Sequence, residues 1–158
     1  MLLGTLIQND FLYIHWYASG EDFQKSHQLT MKYYEMISDE IDRLAEIAVE
    51  LGLLLPNPSM AIEVIESYTP QSESSYIYSE VLKVCSKLIN MYLTNLRIAR
   101  EDINDTSIQS VLDELIRYWS KTVNYTIHRQ TVLPTQLNGF IQSNYDEYLA
   151  SSIIDTIN

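Results

Sequence analysis

The chain has 158 residues, a formal net charge of -11 and 46% hydrophobic residues, which bounds it to one domain able to bury its own core. A pI near 4.5 excludes unassisted binding to nucleic acid or anionic lipid, since both would meet like charge. A single cysteine, Cys85, excludes an internal disulfide and fits a reducing compartment.

The opening "MLLGTLIQND" has an apolar run but no positive n-region, and Gln8, Asn9 and Asp10 interrupt it too early for a signal peptide or a membrane span. The expected location is therefore the cytoplasm. The first fifteen or so residues read as a short helix that ends near Ser19 and Gly20. From Glu21 to Leu51, Tyr34, Ile37, Ile41, Leu44, Ala48 and Leu51 step by three and four, one apolar helical face, and Gly52 supplies a stop. The bracket "PNPSMAIEVIESYTP" reads as a crossover carrying a short helix. From Ser75 to Arg100 the same stepping runs through Val81, Cys85, Leu88, Tyr92, Leu96 and Ala99. From Thr106 to about Gln130 it runs through Ile108, Leu112, Leu115, Trp119 and Val123, with Asp105 or Thr106 as N-cap. Four helices with one long middle connection predict an all-α, ferritin-like four-helix bundle over residues 1–133, and residues 134–158 are expected to form an appended, helical C-terminal extension.

Two of the three histidines flank the first break, in "IHWYASGEDFQKSH". If the chain turns at Ser19 and Gly20, His15 lies about one turn before the bend and His27 about two turns after it. Antiparallel packing then brings both imidazoles to one level. Further along the same helix, Asp42 and Glu46 form an i, i+4 acidic pair about 40° apart around the axis. The fifteen residues from His27 to Asp42 span about 22 Å at about 1.5 Å per residue, so one chain cannot join the two groups. A twofold-related copy can, and would build the centre twice. Mixed imidazole and carboxylate donors at an open interface suit iron or another divalent first-row metal.

The run "IHWYASGEDFQKSH" followed by "DEIDRLAEIAVELG" resembles the mini-ferritins known as Dps, the DNA-binding proteins from starved cells. "PNPSMAIEVIES" is similar to the family's short crossover helix, and "VLDELIRYWSK" to its fourth bundle helix. The resemblance covers roughly residues 5–130. It implies a ferroxidase centre in which His15 binds a first iron with Asp42 and Glu46 of the partner subunit, while His27 binds a second iron that Glu46 bridges. It assigns Trp16 as an aromatic exposed to oxidising equivalents. It further implies a dodecameric shell built from twofold dimers, Fe(II) oxidation preferably by hydrogen peroxide, storage of ferric mineral, and protection against iron and peroxide stress.

The chain departs from the family in three places. Met31 stands one helical turn after His27, where the family usually has an acid, and a thioether is a poor partner for ferric iron. Only fourteen residues precede His15. The segment after about Leu133 carries Asp146, Glu147 and Asp155 without a lysine or arginine, so it is no basic tail, and direct DNA binding is not expected. The alternative is a Dps-like shell whose centre is impaired by Met31 and which is mainly structural or metal-sequestering. An intramolecular di-iron enzyme would need Glu-x-x-His, and the sequence contains none. His128 is expected to be structural, Cys85 a buried small hydrophobe, and most of the twelve tyrosines packing residues.

Overall fold

The computed structural model describes residues 2–55, 57 and 75–131. Four main helices form an all-α bundle: α1 (Leu2–Tyr17), α2 (Phe23–Glu50), α3 (Tyr78–Asp102) and α4 (Thr106–Lys121). The crossover helix and the C-terminal extension expected from sequence lie outside the described residues.

The helix ends follow local chemistry. Gly20 and Gly52 adopt φ of +86° and +71°, so the turn between α1 and α2 and the stop after α2 both use the left-handed region that glycine enters without a Cβ clash. Glu80 accepts the Ile77 N–H at 2.9 Å at the start of α3. Asp105 accepts the Ser107 and Ile108 amides at 2.9 and 3.3 Å at the start of α4, the expected N-cap. The bond from the Ser107 hydroxyl, joined by those two amides, holds the Asp105 carboxyl below its usual range.

The interior joins Ile7, Phe11 and Ile14 of α1, Tyr33 and Ile37 of α2, Val81 to Leu96 of α3, and Ile108 to Trp119 of α4. The faces expected on α3 and α4 are the buried ones, and Cys85 is among them, its thiol pushed up by burial. On α2 the buried stripe is Ser26, Thr30, Tyr33, Ile37 and Glu40, rotated from the purely apolar stripe read in the sequence. Ile41, Leu44 and Ile47 flank it, partly buried, and Leu51 is exposed. The rotation puts the small or polar residues Ser26 and Thr30 on the inward side. Thr30 returns its hydroxyl to the Ser26 carbonyl at 2.8 Å, so it enters the interior already satisfied.

The last bundle helix is not one continuous α-helix. After Lys121 the chain makes a π-helical turn, Thr122–Ile127, before a short α5 (His128–Thr131). The wider turn keeps Val123, Ile127 and His128 all on the buried side. His128 faces Ser86, with Nε2 3.3 Å from its Oγ, and burial lowers the imidazole pKa. No helix among the described residues is long and apolar enough to cross a membrane.

Candidate metal centre

The turn between α1 and α2 is held from both sides. Within it, Phe23 N donates to Gly20 O at 3.1 Å. Across it, Ser19 N donates to Tyr76 O at 2.8 Å and Tyr76 N donates to Tyr17 O at 2.9 Å, a one-residue parallel bridge between Ala18 and Tyr76. The strand-like stretch just before α3 therefore pins the bend, and with it the register of α1 on α2.

That register brings His15 and His27 together, with ring centroids 3.6 Å apart and planes inclined by 38°. His15 is buried, and its Nδ1 lies 2.9 Å from the His27 carbonyl oxygen. A carbonyl can only accept, so Nδ1 carries the hydrogen, and in the neutral tautomer that this bond selects the lone pair is on Nε2. Thr30 Oγ1 stands 3.5 Å from the same Nδ1. This backbone contact is the kind of outer partner that fixes tautomer and ring orientation in metal-binding histidines. His27 is half-buried, and among the described residues neither of its ring nitrogens makes a hydrogen bond. Its ring also lies against Phe23, at a centroid distance of 5.1 Å.

Trp16 is 66% exposed beside the pair, and Tyr17 and Phe23 are exposed as well. Asp42 and Glu46 are exposed on α2, more than half the helix away from His27. Among the described residues, no three of His, Cys, Asp and Glu gather where one ion could be held by a single chain. One chain thus contributes the imidazoles at one end of α2 and the carboxylates near the other.

Sequence reasoning missed Glu40. It is buried, and the Trp119 indole N–H donates to both carboxylate oxygens, at 3.0 and 2.8 Å. Burial pushes this carboxyl up, against the bond from Trp119. Tyr33, Tyr92 and Tyr118 surround the indole at centroid distances of 5.7, 5.9 and 5.4 Å. The available signal was position, because Glu40 falls three residues after Ile37 on the inward stripe. On its other side a cavity of about 240 Å³, lined also by Met36, Asp39, Arg43, Glu114 and Tyr118, opens to the surface.

Known proteins share this architecture. The crystal structure of Helicobacter cinaedi CAIP superposes with a TM-score of 0.69 at 17% identity, covering 83% of this chain and 97% of that one. Antigen TpF1 from Treponema pallidum gives 0.68 at 17%, covering 84% and 89%. At such identity the likeness is one of fold. No curated protein sequence matches. The ferritin family model, described as a ferritin-like domain, matches residues 6–125, most of the chain, and the bundle built above is its fold. The chain belongs to the ferritin-like family.

Proposed function

We propose that the protein is a Dps-like mini-ferritin, which binds and oxidises Fe(II) at centres shared between two subunits and stores the ferric product inside a dodecameric shell in the cytoplasm. The carrying observation is the His15–His27 pair. Two imidazoles 3.6 Å apart and only 38° from parallel are poorly disposed to converge on one ion. They suit two neighbouring ions at about the 3.5–4 Å spacing of two-metal sites. In this reading His15 offers Nε2 to the first iron, with Asp42 and Glu46 of the partner subunit. His27 serves the second iron, which Glu46 bridges.

Three further features support the reading. Lone-pair direction at His15 is set before any metal arrives, because Nδ1–H is committed to the His27 carbonyl. The exposed Trp16, Tyr17 and Phe23 surround the pair with apolar surface of the kind that a second copy covers. Exposed carboxylates one half-helix away match what an antiparallel partner would need to deliver. Trp16 is then an interface residue, with a second role as an oxidisable aromatic beside the centre. Residues 1–133 make the shell-forming bundle and residues 134–158 its extension.

Iron is substrate here, and the chain's part is to hold it and balance its charge. Carboxylates neutralise the ion as it gains charge, while the fixed imidazoles keep two irons close enough to give up electrons to one peroxide. A second reading, a shell with an impaired centre, is favoured by Met31 one turn after His27. One experiment tests both: Fe(II) oxidation by the assembled protein under peroxide and under air, beside a His15→Ala, Asp42→Ala double variant. Wild-type oxidation that the double variant loses supports a working centre. Equal rates in the two proteins refute it.

A further inference from the structure

The donors that a single chain gathers at the bend differ from a ferric site. From Phe11 to Tyr17 on α1 and from Phe23 to Met31 on α2, within about one turn of either histidine, there is no aspartate or glutamate; of the two acids in the bend itself, Glu21 and Asp22, the latter pairs with Lys25 at 2.7 Å. The side chain one turn beyond His27 on the same face of α2 is the thioether of Met31. Met31 is half-buried and, among the described residues, stands outside both the hydrophobic core and the partly buried residues packed against it. His27 beside it is half-buried, with ring nitrogens uncommitted among the described residues.

We infer that His27 and Met31 form a copper(I) position next to His15. The proposal uses the His15–His27 pairing on which the proposed function rests, but none of the partner's acidic residues. Both donors are neutral, and one is soft. A neutral nitrogen and thioether set discriminates against ferric iron, which needs carboxylate charge, and favours soft, monovalent copper, which accepts few ligands. The spacing is that of an i, i+4 pair, so one helix supplies both donors without rearranging the bundle. His15, with its ring 3.6 Å away and its Nε2 free to coordinate, remains for the neighbouring ion. The second position of the centre is thereby a site where copper(I) displaces iron. The Phe23 ring lies tilted against that of His27, at a centroid distance of 5.1 Å, so an apolar group borders this position.

The test is an anaerobic titration of the assembled full chain with copper(I) against bicinchoninate, for wild type, Met31→Leu and Asp42→Ala. Copper-edge X-ray absorption and circular dichroism are recorded on the same samples. Wild type should bind one copper(I) per chain at least tenfold more tightly than Met31→Leu, with a sulfur neighbour at the copper that the variant lacks. Asp42→Ala should bind as wild type does. Leucine keeps the volume and polarity of an exposed-to-half-buried helical position, so folding is preserved. Equal affinity in wild type and Met31→Leu, or only nitrogen and oxygen neighbours in wild type, overturns the inference. Peroxide-driven Fe(II) oxidation by the same preparations separates the two readings. Sulfur-ligated copper without iron oxidation sinks only the iron reading. Iron oxidation with copper affinity indifferent to Met31 sinks only this one.

Discussion

Trp119→Phe should be one of the more damaging single changes in the bundle, and most of its effect should depend on Glu40. The substitution removes the N–H that reaches both Glu40 oxygens and leaves a buried carboxylate facing a phenyl ring. A hydrogen bond to a charged group contributes about 1.5–3 kcal/mol. Two ring carbons fewer in a fully buried position cost roughly 1.5 kcal/mol more at about 0.8 kcal/mol per carbon. The expected loss is roughly 3–4.5 kcal/mol. Glu40→Gln keeps an acceptor for the indole while removing the charge, and a neutral bond is worth only about 0.5–1.5 kcal/mol. In the Glu40→Gln background Trp119→Phe should therefore cost about 1 kcal/mol or more less than in wild type, a coupling that a double-mutant cycle isolates. The assay is urea denaturation followed by far-ultraviolet circular dichroism at matched protein concentration. The pH dependence has a definite sign. Burial raises the folded-state value of Glu40 above its unfolded value, so its contribution is fully present below the unfolded carboxylate range and is lost as pH rises through the raised folded value. Glu40→Gln should then gain on wild type at pH 7 relative to pH 4. Equal Trp119→Phe losses in both backgrounds, or a Glu40→Gln advantage that grows toward low pH, would refute the reasoning.

The remaining expectations concern assembly and the centre. Light scattering at micromolar concentration should give about 220 kDa, the mass of twelve 18.3-kDa chains, and a monomer would remove the shared centre along with the shell. Met31→Asp restores an acid one turn after His27 and should raise iron binding to two ions per centre and speed peroxide-driven oxidation, read by iron titration and stopped-flow absorbance; no change in either would place the second ion elsewhere. With a formal charge of -11 per chain, mobility-shift assays at physiological salt should show no DNA complex, and a tight, salt-resistant complex would contradict the electrostatic argument. Gly20→Ala puts a side chain where φ is +86°, and should cost about 1–2 kcal/mol in denaturant titrations, with no gain in stability at any pH.

The legible part of this protein was whatever obeys a short-range rule. The stepping of Val81, Cys85, Leu88, Tyr92 and Leu96, and of Ile108, Leu112, Leu115 and Trp119, fixes helices and buried faces because each residue's direction follows from its neighbours three and four places away. Gly20, Gly52 and Asp105 mark ends for equally local reasons, φ in two cases and a side-chain acceptor in the third. His15 and His27 are twelve residues apart across one turn, so even their meeting was within reach of local geometry. Tertiary structure decided the rest. Whether α2 turns Tyr34 or Tyr33 fully inward depends on how α1 packs against it, with Thr30 Oγ1 3.5 Å from His15 Nδ1, which periodicity cannot see. The burial of Glu40 depends on an indole N–H seventy-nine residues later, since a carboxylate enters a core only where a distant donor meets it. The pinning of the bend by Tyr76, and the π turn that keeps Val123, Ile127 and His128 inward together, likewise arise from contacts between segments remote in sequence, where one chain's local preferences are overridden by what must pack against them.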